Sequence, residues 1–165
     1  MVAIWQLLRS AFTESVRYLD VHPVLPEDSP ASLQESFDAL LAPLLLNTAL
    51  AALKVPSPAN YTQAITCTTR ALNNLKLSDA DKGGCCVENV ITLDTIESAY
   101  VAKALYRRAV AHGGLKADDE AQTDLVQASQ LVKGDAAILG ELEKVKERKK
   151  AARDKEKKAF KGLFA

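Results

Sequence analysis

Apolar positions recur at helical spacing along most of this 165-residue chain. In residues 5–20, Leu8, Phe12, Val16 and Leu19 fall on one face of a helix. Helical patterns also cover residues 30–54, 61–74, 94–112, 118–132 and the segment from residue 135 onward. No segment has a convincing strand pattern, so the sequence predicts an all-α protein.

Prolines and glycines mark the boundaries of these helices. Ser29 followed by Pro30 is typical of a helix N-cap with proline in the first turn. Pro43 predicts either a kink in the second helix or a fresh helix start, and the Pro56–Pro58 segment predicts a turn. Gly113 and Gly114 predict the end of the helix that contains Tyr100–His112.

Two further boundaries follow from residue type. Residues 76–93 have the composition of a long loop. Asp94 with Glu97 three residues later resembles a capping box that opens the next helix, and Gly134–Asp135 is expected to start the last one.

An internal repeat is visible in the alanine spacing. Ala64 and Ala71 lie seven residues apart, as do Ala121 and Ala128. Seven residues are about two helical turns, so each pair shares one helix face and lets a partner helix approach closely. Each of these helices follows another helix and a connection, which is the helical hairpin of tetratricopeptide repeats. A generic helical bundle is the alternative.

The two units are unequally spaced for such repeats. Ala64 and Ala121 are 57 residues apart, whereas the repeat has a nominal length of about 34 residues. The difference between these two lengths predicts an insertion, and we assign it to the long loop at about 76–93 and to a lengthened helix after it. The predicted organisation is a solenoid of tetratricopeptide repeats over residues 1–134, the first incomplete, followed by a C-terminal extension helix over 135–165.

The charge is unevenly distributed although the formal net charge is zero. Residues 144–161 hold ten basic and three acidic residues, and the rest of the chain is acidic. This basic tail is interpreted either as a solvated helix end or as a target for calmodulin or a chaperone surface. Nucleic-acid binding is disfavoured because no aromatic residues interleave the charges.

Little in the sequence indicates catalysis or a cofactor. The chain has two histidines, His22 and His112, and three cysteines without metal-site spacing. We expect reduced thiols, no metal and no catalytic residue. Since no signal peptide or membrane-length apolar run is present, we expect no membrane association and a cytoplasmic location, with the nucleus as a second compartment.

A family resemblance rests on two strings of residues. Lys103-Ala-Leu-Tyr-Arg-Arg-Ala109 with Gly114-Leu-Lys116 resembles the third repeat of the immunophilin co-chaperones. The tail from Leu142 to Phe164 is similar to the last helix of the forty-kilodalton cyclophilin class. The Arg17-Tyr-Leu-Asp20 ending of the first helix also fits that class. The resemblance covers nearly the whole chain apart from the lengthened loops.

The resemblance implies a carboxylate clamp for an acidic peptide end. Lys103 and Arg107 are four residues apart and project from one helix face, while Asn47 occupies the equivalent place on the preceding repeat. By resemblance, Asn47 binds the terminal carboxylate, Lys103 an acidic group or backbone, and Arg107 an acidic side chain or carbonyl. The implied partner is the EEVD-type tail of the ninety-kilodalton heat-shock chaperone, with the seventy-kilodalton one as second candidate. Arg108 is expected to be a solvated or structural charge.

The resemblance also predicts an N-terminal truncation. The chain begins near the second helix of the family's first repeat, so two of five clamp positions and the catalytic barrel of a cyclophilin would be missing. The alternatives to a working clamp are a protein-interaction scaffold with a silent clamp, meaning one that does not bind peptide, and the remnant of a peptidyl-prolyl isomerase. Trp5 and Phe12, lacking their usual partner helix, are expected to form an exposed apolar patch.

Overall fold

The computed structural model describes residues 2–21, 31–74 and 95–162. Within these ranges the chain forms six α-helices and no β-strand, which confirms the all-α prediction. The helices are α1 (Val2–Val21), α2 (Ala31–Leu53), α3 (Pro58–Asn74), α4 (Thr95–Gly114), α5 (Asp118–Leu131) and α6 (Ala136–Gly162).

The structure decides two of the predicted helix boundaries. Helix α2 runs continuously through Pro43, so the fresh start at this proline is wrong. Helix α4 ends at Gly114, as the two glycines predicted, and the turn that follows places Lys116 at a left-handed φ of 63°. The predicted Ser29 cap, the long loop at about 76–93 and the Asp94 capping box lie outside the described residues.

The helices pack as a solenoid. Each helix contacts the next one along the chain, and α4 also contacts α2 and α6, its second neighbours. The turn at residues 54–57 joins α2 to α3, and the turn at 115–117 joins α4 to α5. This layering is that of stacked helical hairpins, as tetratricopeptide repeats form.

The repeated alanines are buried at the helix contacts. Ala64, Ala71, Ala121 and Ala128 are all fully buried. The core around them also contains Leu45, Val101, Leu105, Leu125 and Val145. The small side chains let α3 and α5 lie close to their neighbours, which confirms the role predicted from their spacing.

Helix α1 packs against α2 and reaches α3 through a polar side chain. Arg9 donates hydrogen bonds from Nη1 to Asn60 Oδ1 (3.1 Å) and Gln63 Oε1 (3.0 Å) on α3. Trp5 and Phe12 are half-buried, so they do not form the exposed patch that was expected. The exposed large apolar side chains of α1 are Val2, Ile4, Leu7, Leu8 and Tyr18.

Helix α6 begins at a capped end and leaves the body half-way along its length. Asp135 Oδ1 accepts hydrogen bonds from the backbone N–H groups of Ala137 and Ile138 (2.8 and 3.2 Å), which confirms the predicted start. Its side chains are then exposed throughout residues 150–160, as the charge pattern predicted. Among the described helices, none has the length and apolar character needed to cross a bilayer.

The first half of α6 is held to the body by apolar and charged contacts. Ile138, Leu142 and Val145 are buried in the core. Arg148 Nε donates to Asp118 Oδ1 (2.8 Å), and Lys149 Nζ contacts Asp119 in the acidic first turn of α5. These contacts cover the end of the solenoid.

Candidate functional site

The accessible face of α4 carries two cations and two tyrosines. Lys103 is exposed, and Tyr100, Tyr106, Arg107 and Val110 are half-buried. Their spacing of three or four residues places them along one side of the helix. The residues between them are buried in the core: Val101, Ala102, Ala104, Leu105, Arg108 and Ala109. Only this face of the central part of α4 is therefore open to a ligand.

Helix α2 contributes a carboxamide beside that face. Asn47 is exposed while Leu46 next to it is buried. Leu44 and Leu50, one turn away on either side, are half-buried. Asn47 is thus an exposed polar residue on the side of α2 away from the core.

Arg107 joins the two helices directly. Its Nη1 donates a hydrogen bond of 2.6 Å to the backbone carbonyl oxygen of Leu46, 61 residues away in sequence. Since Asn47 follows Leu46, this bond brings Arg107 close to the backbone of Asn47. Lys103 lies one turn earlier on α4, about 6 Å along the axis from Arg107.

The environment of Arg107 favours an anion. Burial lowers the pKa of its guanidinium from the ordinary value, and no nearby carboxylate among the described residues offsets that effect. A guanidinium has five N–H donors, and in the described structure one carbonyl oxygen accepts from it. An anionic group arriving at this point would compensate a charge that is already partly desolvated.

Lys103 is held over an aromatic ring. Its Nζ lies 5.4 Å from the centroid of Tyr100, one turn earlier on the same helix. A cation at this distance is attracted to the ring's π-face. Because the lysine is exposed and forms no ion pair within the described residues, its ammonium group is accessible to solvent and to a ligand.

The neighbouring Arg108 has a different role. Its Nε and Nη2 donate to the two carboxylate oxygens of Asp124 on α5 at 2.8 and 2.7 Å. Both side chains are almost completely buried, and Thr69 Oγ1 on α3 lies 3.4 Å from Arg108 Nη1. Arg108 is therefore a structural charge, one of the two roles expected for it.

Sequence reasoning missed one group at this site, the Leu46 carbonyl, and one beside it, Asp124. The carbonyl of Leu46 is a backbone group, so no residue type in the sequence identifies it as a partner of Arg107. Asp124 carried a usable signal, since it is an acid between two buried positions of α5, Ala121 and Leu125. An acid at such a position requires a buried partner.

Among the residues that the structure describes, the other chemistry-bearing side chains are not grouped into a second site. Within the described ranges, no group of three or more His, Cys, Asp and Glu side chains is arranged to hold a metal ion. Cys67 is half-buried, and burial raises the pKa of its thiol, which makes it a weak nucleophile. Burial lowers the pKa of His112, whose ring is close to Asp124 and Arg108.

Curated relatives match nearly the whole chain. A protein from Cryptococcus neoformans var. neoformans serotype D is 44% identical over 154 residues, or 93% of this chain. A protein from Mycosarcoma maydis is 34% identical over 154 residues. Both are named peptidyl-prolyl cis-trans isomerase D. The chain is therefore homologous to part of these proteins.

The match covers only part of each relative. The chain spans about a third of their length, 36% of the Cryptococcus protein and 37% of the Mycosarcoma protein. No protein-family profile matches the chain. The homology supports the cyclophilin context that the sequence motifs suggested. Because the match covers only part of each relative, it does not extend the activity of the whole relatives to this chain.

Proposed function

We propose that this chain is a co-chaperone-type peptide-binding module that recognises an acidic peptide end through Asn47, Lys103 and Arg107. The partner proposed is the C-terminal EEVD-type tail of the ninety-kilodalton heat-shock chaperone. The chain would correspond to the helical, non-catalytic part of its relatives, so its own contribution is binding rather than prolyl isomerisation.

The contrast between Arg107 and Arg108 carries this proposal. Both arginines are at least half removed from water, but Arg108 has the carboxylate of Asp124 as its counter-ion. Arg107 has a neutral carbonyl as its described partner and no acid that offsets its burial. Desolvating a cation without a counter-charge costs free energy, and an acidic ligand would recover part of it.

The remaining groups suit a peptide that ends in a carboxylate. Asn47 offers two N–H donors from its side-chain amide, and Lys103 offers an accessible ammonium group beside Tyr100. The half-buried Leu44 and Leu50 lie around Asn47, and would contact aliphatic side chains of the peptide. The site therefore fits a mixed acidic and aliphatic sequence better than a simple polyanion.

Calorimetric titration with the pentapeptide Met-Glu-Glu-Val-Asp tests the proposal. Charge-assisted hydrogen bonds contribute roughly 1.5–3 kcal/mol each, so Lys103→Ala should weaken binding by about ten- to a hundredfold. The same peptide with a C-terminal amide should bind more weakly by a similar factor. Binding should also weaken as ionic strength rises.

Lys133→Ala is the matched control, because Lys133 is an exposed lysine on the α5–α6 connection. It should leave the dissociation constant unchanged. If wild type and Lys103→Ala bind the pentapeptide equally well, or if no binding is seen at millimolar peptide, the clamp proposal is wrong. The chain would then be better described as a scaffold with a silent clamp.

A further inference from the structure

We propose that Arg107 is a positioning residue that sets the geometry of the groove before any ligand arrives, by tying α4 to the Leu46 carbonyl on α2. The inference extends the proposed function, because it assigns Arg107 a task in the free protein beside its contact with peptide. Arg107 Nη1 donates to Leu46 O at 2.6 Å, across 61 residues of sequence.

The shape of guanidinium makes both tasks compatible. Its donors point in fixed directions in one plane, so Nη1 can hold the carbonyl while other N–H groups remain directed elsewhere. A lysine concentrates its donors on a single nitrogen and cannot span the same two positions. Arginine at this site therefore provides geometry as well as charge.

The bond acts where the groove is formed. Helices α2 and α4 belong to different hairpins, and both contact α3 between them. Leu46 is buried on α2, and Ala104 and Leu105 are buried on α4, so the two helices share one core. A charge-assisted, partly buried bond between them fixes the separation between Asn47 and Lys103, and a fixed separation lowers the cost of ordering the site on binding.

The free protein provides a test that needs no peptide. With isotope-labelled protein, Arg107→Ala should move the Leu46 carbonyl carbon resonance and lower the melting temperature by roughly 3 °C or more, the loss of one charged hydrogen bond. Lys133→Ala should change neither quantity, since Lys133 is exposed on the α5–α6 connection. An unchanged Leu46 resonance and melting temperature in Arg107→Ala would overturn the positioning role.

Peptide titrations then separate positioning from simple charge. If Arg107 holds Asn47 in place, Asn47→Ala should cost much less affinity in an Arg107→Ala background than in wild type. The same cycle with Lys103→Ala in place of Asn47→Ala should show less coupling, because Lys103 and Arg107 lie on the same helix. Arg107→Lys keeps the charge but should leave the coupling between positions 107 and 47 almost as weak as Arg107→Ala does. Full recovery of affinity by Arg107→Lys, or equal coupling in both cycles, would contradict the proposal.

The two proposals fail in distinguishable ways. If no variant binds the pentapeptide but the Leu46 resonance still responds to Arg107→Ala, the tie between the helices stands and the peptide function falls. If peptide binding depends on Lys103 and Arg107 but the free protein does not respond to Arg107→Ala, the opposite holds.

Discussion

Replacing Asp124 with alanine should strongly destabilise the protein, although Asp124 lies outside the candidate site. The substitution removes the carboxylate that accepts two hydrogen bonds, of 2.8 and 2.7 Å, from Arg108. The two side chains are only 10% and 5% exposed for Arg108 and Asp124 respectively, so water does not readily replace the lost partner. Breaking a buried pair on one side typically costs about 3–5 kcal/mol.

Urea unfolding followed by circular dichroism measures this cost. For a chain of this size the loss corresponds to a fall in melting temperature of roughly 6–20 °C. Asp154→Ala on the exposed half of α6 is the matched control, and it should stay within about 0.5 kcal/mol of wild type. The double variant Arg108→Leu with Asp124→Leu should be more stable than Asp124→Ala, because it leaves no buried charge.

The result that would refute this reasoning is a small effect. If Asp124→Ala unfolds within about 1 kcal/mol of wild type, Arg108 is adequately solvated without its carboxylate. A double variant less stable than Asp124→Ala would show that the unpaired charge of Arg108 is not the source of the loss.

Two further predictions concern packing and pH. A Cβ on Gly114 would lie 2.5 Å from Cζ of Tyr61, so Gly114→Ala should lower the free energy of unfolding by about 1–3 kcal/mol. Gly140→Ala in α6, where nothing lies within 4 Å of the added Cβ, should instead raise the free energy of unfolding by about 0.5–1 kcal/mol. Equal effects of the two substitutions would contradict the packing argument. Because burial lowers the pKa of His112 below its ordinary 6.5, the unfolded chain binds the proton more readily, so stability should be complete above pH 6.5 and decrease as the pH falls below it. In His112→Gln this part of the pH dependence should disappear in unfolding curves recorded at pH 7.5, 6.5 and 5.5, and an unchanged profile would refute it.

Much of the fold could be predicted from residue spacing alone. The alanine pairs identified the faces along which α3 and α5 are packed, and all four of those alanines are fully buried. Asp135 was recognisable as the start of α6, and its side chain caps that helix. Such signals are local, since helical periodicity and capping depend on residues within one or two turns. Residue spacing left open whether α2 is kinked at Pro43 or begins again there, and in the structure the helix is continuous through the proline.

One part of the candidate site was determined by the sequence, and another part was decided only by the packing of the helices. The sequence by itself placed Lys103 and Arg107 on one face of α4, because four residues make slightly more than one turn. It could not say which of the adjacent arginines, Arg107 or Arg108, would be neutralised by a carboxylate. That depends on where α5 lies against α4, which brings Asp124 to Arg108 and leaves Arg107 facing the Leu46 carbonyl. Within the described residues, these two identical side chains, about 100° apart around one helix, have different partners because the packing of the solenoid brings an acid to Arg108 and a backbone carbonyl to Arg107.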